Sequence, residues 1–214
     1  MRPEPTCPRC GAELRAPGLW SSAWQCASHG SVPPYAVVSR GGLEAVEHVL
    51  GRAKVPVWMA HGLSAGWVCS GFGYAGDDRD GARAVVTSLS GPSPLGGAAD
   101  ILLVAEEPGV GLGARYAGLP GPDPGVDCGS GAPDAKVEIA GHPTALWSLP
   151  VKNDCAAFIG EAKGLWLWAI ICPAAAGVLM YDAVTLEDLR DGYAEAELAF
   201  GSVSPLLSVV PLAS

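Results

Sequence analysis

Charge is scarce in this chain. Of 214 residues, 13 are Lys or Arg and 22 are Asp or Glu, and lysine occurs only four times. The resulting formal charge of −9 repels nucleic acid phosphates and anionic membrane surfaces. No basic cluster offsets it, since Arg2, Arg9 and Arg15 near the N-terminus face Glu4 and Glu13. There is no internal repeat, no heptad pattern and no apolar leader at the start, so a cytoplasmic location is expected. Long helices are excluded by 29 glycines and 19 prolines, which cut the chain into short elements. Disorder is excluded by an apolar fraction of 49%.

One run does lack charge. Gly164 to Tyr181 carries none over 18 residues, the lower limit for a membrane-spanning helix. Pro173 and Gly177 divide it into Leu165–Cys172 and Val178–Tyr181, which predicts a buried β-hairpin and no membrane span.

What the chain does contain is a double motif. Cys7-Pro8-Arg9-Cys10-Gly11 is followed by Cys26-Ala27-Ser28-His29-Gly30. A two-residue gap lets a tight turn aim two side chains at one ion, and the glycine after each pair can take positive φ. The second knuckle repeats the first with His29 in place of the last cysteine. Cys7, Cys10, Cys26 and His29 are therefore expected to ligate zinc, and a tetrahedron filled by protein leaves no position for substrate, so the zinc should be structural. Cys69, Cys128, Cys155 and Cys172 are scattered singly and read as reduced, buried thiols.

Residues 1–31 are thus expected to form a zinc ribbon, 32–42 a linker with Pro33-Pro34 and Gly41-Gly42, and 43–214 a single α+β domain. Leu43, Val46, Val49 and Leu50 have helical spacing that Gly51 ends. Strands are expected over Val55–Met59, Gly66–Tyr74, Ala82–Leu89, Asp100–Ala105, Lys136–Ile139 and Thr144–Leu149. A structureless loop should cover Pro108 to Pro133. Thr185 with Asp188 suggests a capped helix closed by Gly192, and Ala194 to Phe200 alternates like a strand. The fold class is α+β, a mostly antiparallel sheet with a few short helices behind a small zinc ribbon.

Weaker patterns compete for function. Gly109-Val110-Gly111-Leu112-Gly113-Ala114 matches a dinucleotide fingerprint formally, but Glu106, Glu107 and Pro108 separate it from the preceding strand and no alternating βα pattern surrounds it. Asp77-Asp78-Arg79-Asp80-Gly81 lacks calcium-loop spacing and reads as a hairpin turn. His48, His61 and His142 have no nucleophile signature beside them. Trp58, Trp67, Trp147, Trp166 and Trp168 should pack in the core, with Trp166 and Trp168 on one face that could present a binding surface.

The segments CPRCG at Cys7, RAPGLWSSAWQC ending at Cys26, VPVWM at Val55, AGDDR at Ala75, VAEEPGVGLGARYAG at Val104 and GEAKGLWLWAIICP at Gly160 together resemble a family of uncharacterised actinobacterial proteins. Some members carry the label phosphotransacetylase, an enzyme whose doubly wound architecture is not readable here, and the resemblance implies no activity. The reading that follows is a zinc-binding, cytoplasmic binding or regulatory module that engages a protein partner or small ligand. One alternative is an enzyme acting on a small anionic substrate through loop 108–121, by acyl or phosphoryl transfer, with Arg115 as anion contact and Glu106 or Glu107 as acid or base. A third reading, nucleic-acid binding through the ribbon, needs Arg9 and Arg15 to converge beside exposed Trp20 or Trp24.

Overall fold

A computed structural model describes residues 4–19, 21–125, 128–193 and 198–208. It is an α+β fold dominated by one ten-stranded sheet. Strands β1 (Gln25–Cys26) and β2 (Gly30–Ser31) form a separate small hairpin. The large sheet contains β3 (Tyr35–Val37), β4 (Trp58–His61), β5 (Val68–Asp77), β6 (Gly81–Pro92), β7 (Ala98–Glu106), β8 (Ala135–Ile139), β9 (His142–Leu149), β10 (Ala156–Ala162), β11 (Leu165–Cys172) and β12 (Thr185–Asp188). Its spatial order is β3-β5-β6-β7-β11-β10-β9-β8-β12-β4. Every neighbouring pair is antiparallel except β8 with β12. The last strand, β4, folds back against β6 and β7.

This curl gives the central strands two buried faces. On β7, Ile101, Leu103 and Ala105 point into the curl, where they meet Val85, Leu89, Leu167 and Trp58. Helix α1 (Gly42–Leu50) adds Ala45, Val46 and Val49 to the same core. Leu102 and Val104 point the other way, towards Ile170, Trp168 and Leu112. A strand buried on both faces loses the alternation of a half-wet strand and becomes a continuous apolar run. That is the reason for the uncharged stretch Leu165–Cys172, which is β11, wedged between β7 and β10. No helix among the described residues is long and apolar enough to cross a membrane.

The hairpin expected over this run does not form. Residues Ala174–Tyr181 are a 3₁₀ helix, and β11 pairs instead with β10, a strand the sequence hides behind Gly160 and Glu161. Gly160 is needed there because a Cβ would strike the Ala145 carbonyl at 2.4 Å. Thr185 opens no helix either. It starts β12, drawn into strand geometry by pairing with β8 and β4, and Asp188 caps only the single 3₁₀ turn Leu189–Asp191. Strand Val55–Met59 shifts to β4, with Val55 and Val57 buried just ahead of it. Of the alternating segment after Tyr193, residues 194–197 lie outside the described residues, while Phe200 bridges to Cys69. Cys155 and Cys172, read as thiols, are joined as a disulfide between the residue just before β10 and the last residue of β11. The Asp77–Gly81 hairpin turn forms as expected, with Asp77 Oδ1 accepting the N–H groups of Arg79 and Asp80 at 3.0 and 2.9 Å.

A buried ion pair helps fix the curl. The Asp188 carboxylate, with 1% of its side chain exposed, accepts Lys163 Nζ at 3.0 Å, Arg190 Nη2 at 2.7 Å and the Val57 N–H at 3.1 Å. Lys163 occupies the β10–β11 turn with φ 56°, so the turn, the end of β12 and the approach to β4 meet on one carboxylate. Burial alone would raise its pKa, but Arg190, the Val57 N–H and Lys163 together hold it well below the usual carboxylate range. Replacing Asp188 by Ala strands the buried Val57 N–H and leaves Lys163 with Asp191 and Arg190 with the Lys54 carbonyl. Urea unfolding should show a loss of about 3 kcal/mol for Asp188→Ala; a midpoint unchanged from wild type would remove this ion pair from the account of the curl.

Candidate metal centre

The two knuckles fold into one cluster. Gly11, at φ 72°, lets its N–H return to the Cys7 carbonyl at 2.8 Å, closing the first turn. Gly30, at φ 67°, closes the second at the head of the β1–β2 hairpin, where Cys26 pairs with Gly30. The four side chains converge so that Cys7, Cys10 and Cys26 Sγ and one His29 ring nitrogen all lie within 4.8 Å of one another. Cys10 Sγ is 3.7 Å from Cys26 Sγ, and His29 Nδ1 is 3.6 Å from Cys7 Sγ and 3.5 Å from Cys26 Sγ. A tetrahedron with metal–sulfur bonds of about 2.3 Å and a metal–nitrogen bond of about 2.1 Å has edges of roughly 3.6–3.8 Å. The cluster therefore has the size of a coordination shell around one ion.

Cys7 and Cys26 are buried, Cys10 is half-buried and His29 is exposed. Burial pushes the Cys7 thiol up, whereas at Cys26 the upward effect of burial is outweighed by the Ser28 N–H, the His29 ring and the His29 N–H, which pull it down.

The cluster is bolted to the rest of the fold on three sides. Thr6, next to Cys7, exchanges both backbone hydrogen bonds with the edge strand residue Tyr35, at 2.9 and 2.8 Å. Between the first two cysteines of the cluster, Arg9 donates to the carbonyls of Gly109 and Val110. From the opposite side, Arg115 Nη1 donates to the Cys7 carbonyl at 3.3 Å, its guanidinium lying over the rings of Tyr35 and Tyr116.

These contacts explain the glycine-rich loop. The expected structureless stretch contains helix α2 (Leu112–Ala117), with Gly111 at its N-terminus and Gly118 at its C-terminus, both left-handed at φ 88° and 69°. A Cβ on Gly111 would meet the Arg9 stem at 2.8 Å, and one on Gly113 would meet the Trp168 indole at 2.3 Å. Within the spacing that imitates a dinucleotide fingerprint, Gly111 caps α2 and packs on Arg9, Gly113 packs on Trp168, and Gly109 turns the chain at φ 85°. Glu106 sits fully buried beneath α2 and accepts the N–H groups of Leu112 and Gly113 at 2.7 and 3.2 Å. Glu107 is elsewhere, paired with Arg83 at 2.6 Å. Loop 108–121 brings Arg115 to the Cys7 carbonyl, Glu106 at the end of β7 caps α2, and neither lines a described pocket.

The tryptophans form no exposed face among the described residues. Trp58 and Trp168 are buried, and Trp166 is half-buried with its N–H on Asp123 at 3.1 Å. Trp20 lies outside the described residues. Trp24 instead lines a cleft of about 310 Å³ between the knuckles and the β5–β6 turn, with Pro33 and Pro34 beside it and Arg79 and Arg83 among the facing residues. His48 is on α1, His61 ends β4 beside Glu187 at 3.2 Å, and His142 begins β9. Sequence reasoning found the four ligand-type residues and missed their attachments, since nothing in the spacing of Arg9, Tyr35, Arg115 and Tyr116 connects them.

A family model described as a family of unknown function (DUF6758) matches residues 1–207, and the chain belongs to that family. No curated protein and no solved structure matches the chain.

The buried carboxyl under α2 generates a pH dependence. Burial raises Glu106 from an ordinary 4.5 to about 7, against the opposing N–H groups of Leu112 and Gly113. The folded state then holds a proton that the unfolded state has released, so stability falls as pH rises from about 4.5 to 7 and levels off above that. Across this window wild type should lose on the order of 3 kcal/mol that Glu106→Gln does not lose. Denaturant midpoints at pH 5, 6, 7 and 8 check this, and parallel curves for the two proteins would contradict it.

Proposed function

We propose that in this member of a family of unknown function the Cys7, Cys10, Cys26 and His29 group holds one structural Zn²⁺, and that the protein is a cytoplasmic binding or regulatory module. The observation that carries the metal reading is the cluster itself: three sulfurs and one imidazole nitrogen, spaced like the edges of a single tetrahedron. A donor set of three thiolates and one imidazole favours zinc among common intracellular ions. Four protein ligands leave no open position for a water or a substrate, so the ion's work is to hold structure.

In this reading residues 1–31 are the metal module, 32–42 lead from it into the sheet through β3, and 43–214 form the α+β domain. The ion joins two turns that otherwise share few apolar contacts, since the module's own core is Cys7, Cys26 and Val32 with Cys10 and Leu14 packed around them. Small cores of this kind depend on metal for stability. The cleft between module and domain, lined by Trp24 with Arg79 and Arg83 and the carboxylates of Asp77 and Asp80, supports a role in binding a protein partner or small ligand.

The enzyme reading has less support, because Arg115 is turned to the Cys7 carbonyl and Glu106 to the α2 N–H groups. Nucleic-acid binding through the ribbon has less still, because Arg9 spends its guanidinium on the Gly109 and Val110 carbonyls and the chain's charge is −9.

Elemental analysis of protein purified under reducing conditions should give about one zinc per chain, and Cys10→Ser with Cys26→Ser should abolish it. A ratio near zero in freshly reduced wild type would end the metal reading.

A further inference from the structure

Gly201 and Ser204 tie the segment 201–208 to the Cys69 and Ser70 carbonyls at 2.9 and 2.7 Å, and its end at Leu207 is held by the same side chains that grip the metal cluster. The hydroxyls of Tyr35 and Tyr116 lie 2.6 Å apart, and both face the Leu207 carbonyl oxygen, at 2.9 and 3.0 Å. The two rings flank the Arg115 guanidinium, with centroids 5.4 and 5.8 Å from its central carbon. Arg115 in turn donates to the carbonyl of Cys7, one of the four ligand-type residues. A continuous line of buried contacts therefore runs from Cys7 through Arg115 and the tyrosine pair to Leu207, which is itself fully buried against β5 and its Gly71. Tyr35 adds a second link, because its backbone pairs with Thr6.

The cluster also offers one point of chemical attack. Cys7 and Cys26 are buried, while Cys10 is half-exposed and its sulfur lies 3.7 Å from that of Cys26. We propose that the metal centre is an oxidation-sensitive latch for the C-terminal segment: a peroxide oxidises Cys10 and Cys26 to a disulfide, the ion leaves, and residues 201–208 detach from Tyr35 and Tyr116. This rests on the zinc reading given above.

The step balances with hydrogen peroxide as oxidant. The Cys10 thiolate attacks one peroxide oxygen, the O–O bond breaks and hydroxide leaves, giving a sulfenic acid. The Cys26 thiolate then attacks the Cys10 sulfur, the S–O bond breaks and a second hydroxide leaves. Two sulfurs have together lost two electrons, the peroxide has gained them, and two solvent protons convert the hydroxides to water. The ion keeps only Cys7 and His29, which cannot retain it. Forming a bond of about 2.05 Å from sulfurs 3.7 Å apart draws the knuckles out of register and with them the Cys7 carbonyl that Arg115 holds.

The test uses the full chain, zinc-loaded, treated with hydrogen peroxide. Three readouts are taken: zinc release by a chromogenic chelator, disulfide mapping by peptide mass spectrometry, and hydrogen exchange of the peptide covering 201–208. The expected result is one zinc released, a Cys10–Cys26 linkage, and amide exchange in 201–208 faster by at least about tenfold, reversed by dithiol and zinc. Arg115→Met should keep its zinc yet show fast exchange in that peptide before any peroxide. Tyr35→Phe with Tyr116→Phe should do the same, which guards against a folding defect peculiar to one variant. Zinc release with unchanged exchange at 201–208, a linkage through Cys7 in place of Cys10–Cys26, or zinc-loaded variants that exchange like wild type would each overturn the latch. Untreated protein without zinc would instead overturn the metal reading on which it rests.

Discussion

A ten-stranded, mostly antiparallel sheet has two edges, and each edge is a row of backbone donors and acceptors that, left uncovered, is a template for another strand. Most of this structure follows from how the two edges are managed. One end curls until β4 lies over β6 and β7, with Asp188 tying β12, the β10–β11 turn and the approach to β4 together. The other end, β3, is only three residues long and is covered by Thr6, immediately before Cys7. The N-terminal cluster thus also covers the β3 edge of the sheet.

That placement gives the cluster leverage. Its turns carry Arg9 to the α2 loop and receive Arg115 from α2, so the outer face of the sheet, with Leu102, Val104 and Ile170 beneath, is sealed partly by contacts that originate beside the ligand-type cysteines. A four-ligand site can hold such turns at a cost in entropy that no core of three buried residues would offset. Charge follows the same economy: the buried Arg115 faces a carbonyl oxygen and two aromatic rings, and the half-buried Arg9 faces two carbonyl oxygens.

What the sequence disclosed tracks the range of the interactions involved. The Cys7-to-His29 pattern was legible because both turns are local and glycine-closed. The strands around Tyr74, Val86, Leu103 and Trp168 were legible because apolar runs bounded by turn residues survive any topology. Asp77 to Gly81 was legible as a turn for the same local reason. By contrast, β10 was hidden because Gly160 and Glu161 look like loop chemistry, and only the close approach of the Ala145 carbonyl explains the glycine. Thr185 to Asp188 has a helix-start signature that strand pairing on both sides overrides. The glycines around α2 read as absence of structure when they are its caps and its contact with Trp168. Cys155 and Cys172, 17 residues apart, could be matched only once β10 and β11 were known to be neighbours.

The central claim is that three sulfurs and one imidazole nitrogen close around a single zinc and so fasten the cap on β3. X-ray absorption at the zinc edge of the purified protein measures that shell directly. The account predicts three sulfur scatterers at about 2.3 Å, one nitrogen at about 2.0–2.1 Å and no oxygen. A shell of light atoms alone, or one holding a solvent oxygen in place of His29, would contradict it.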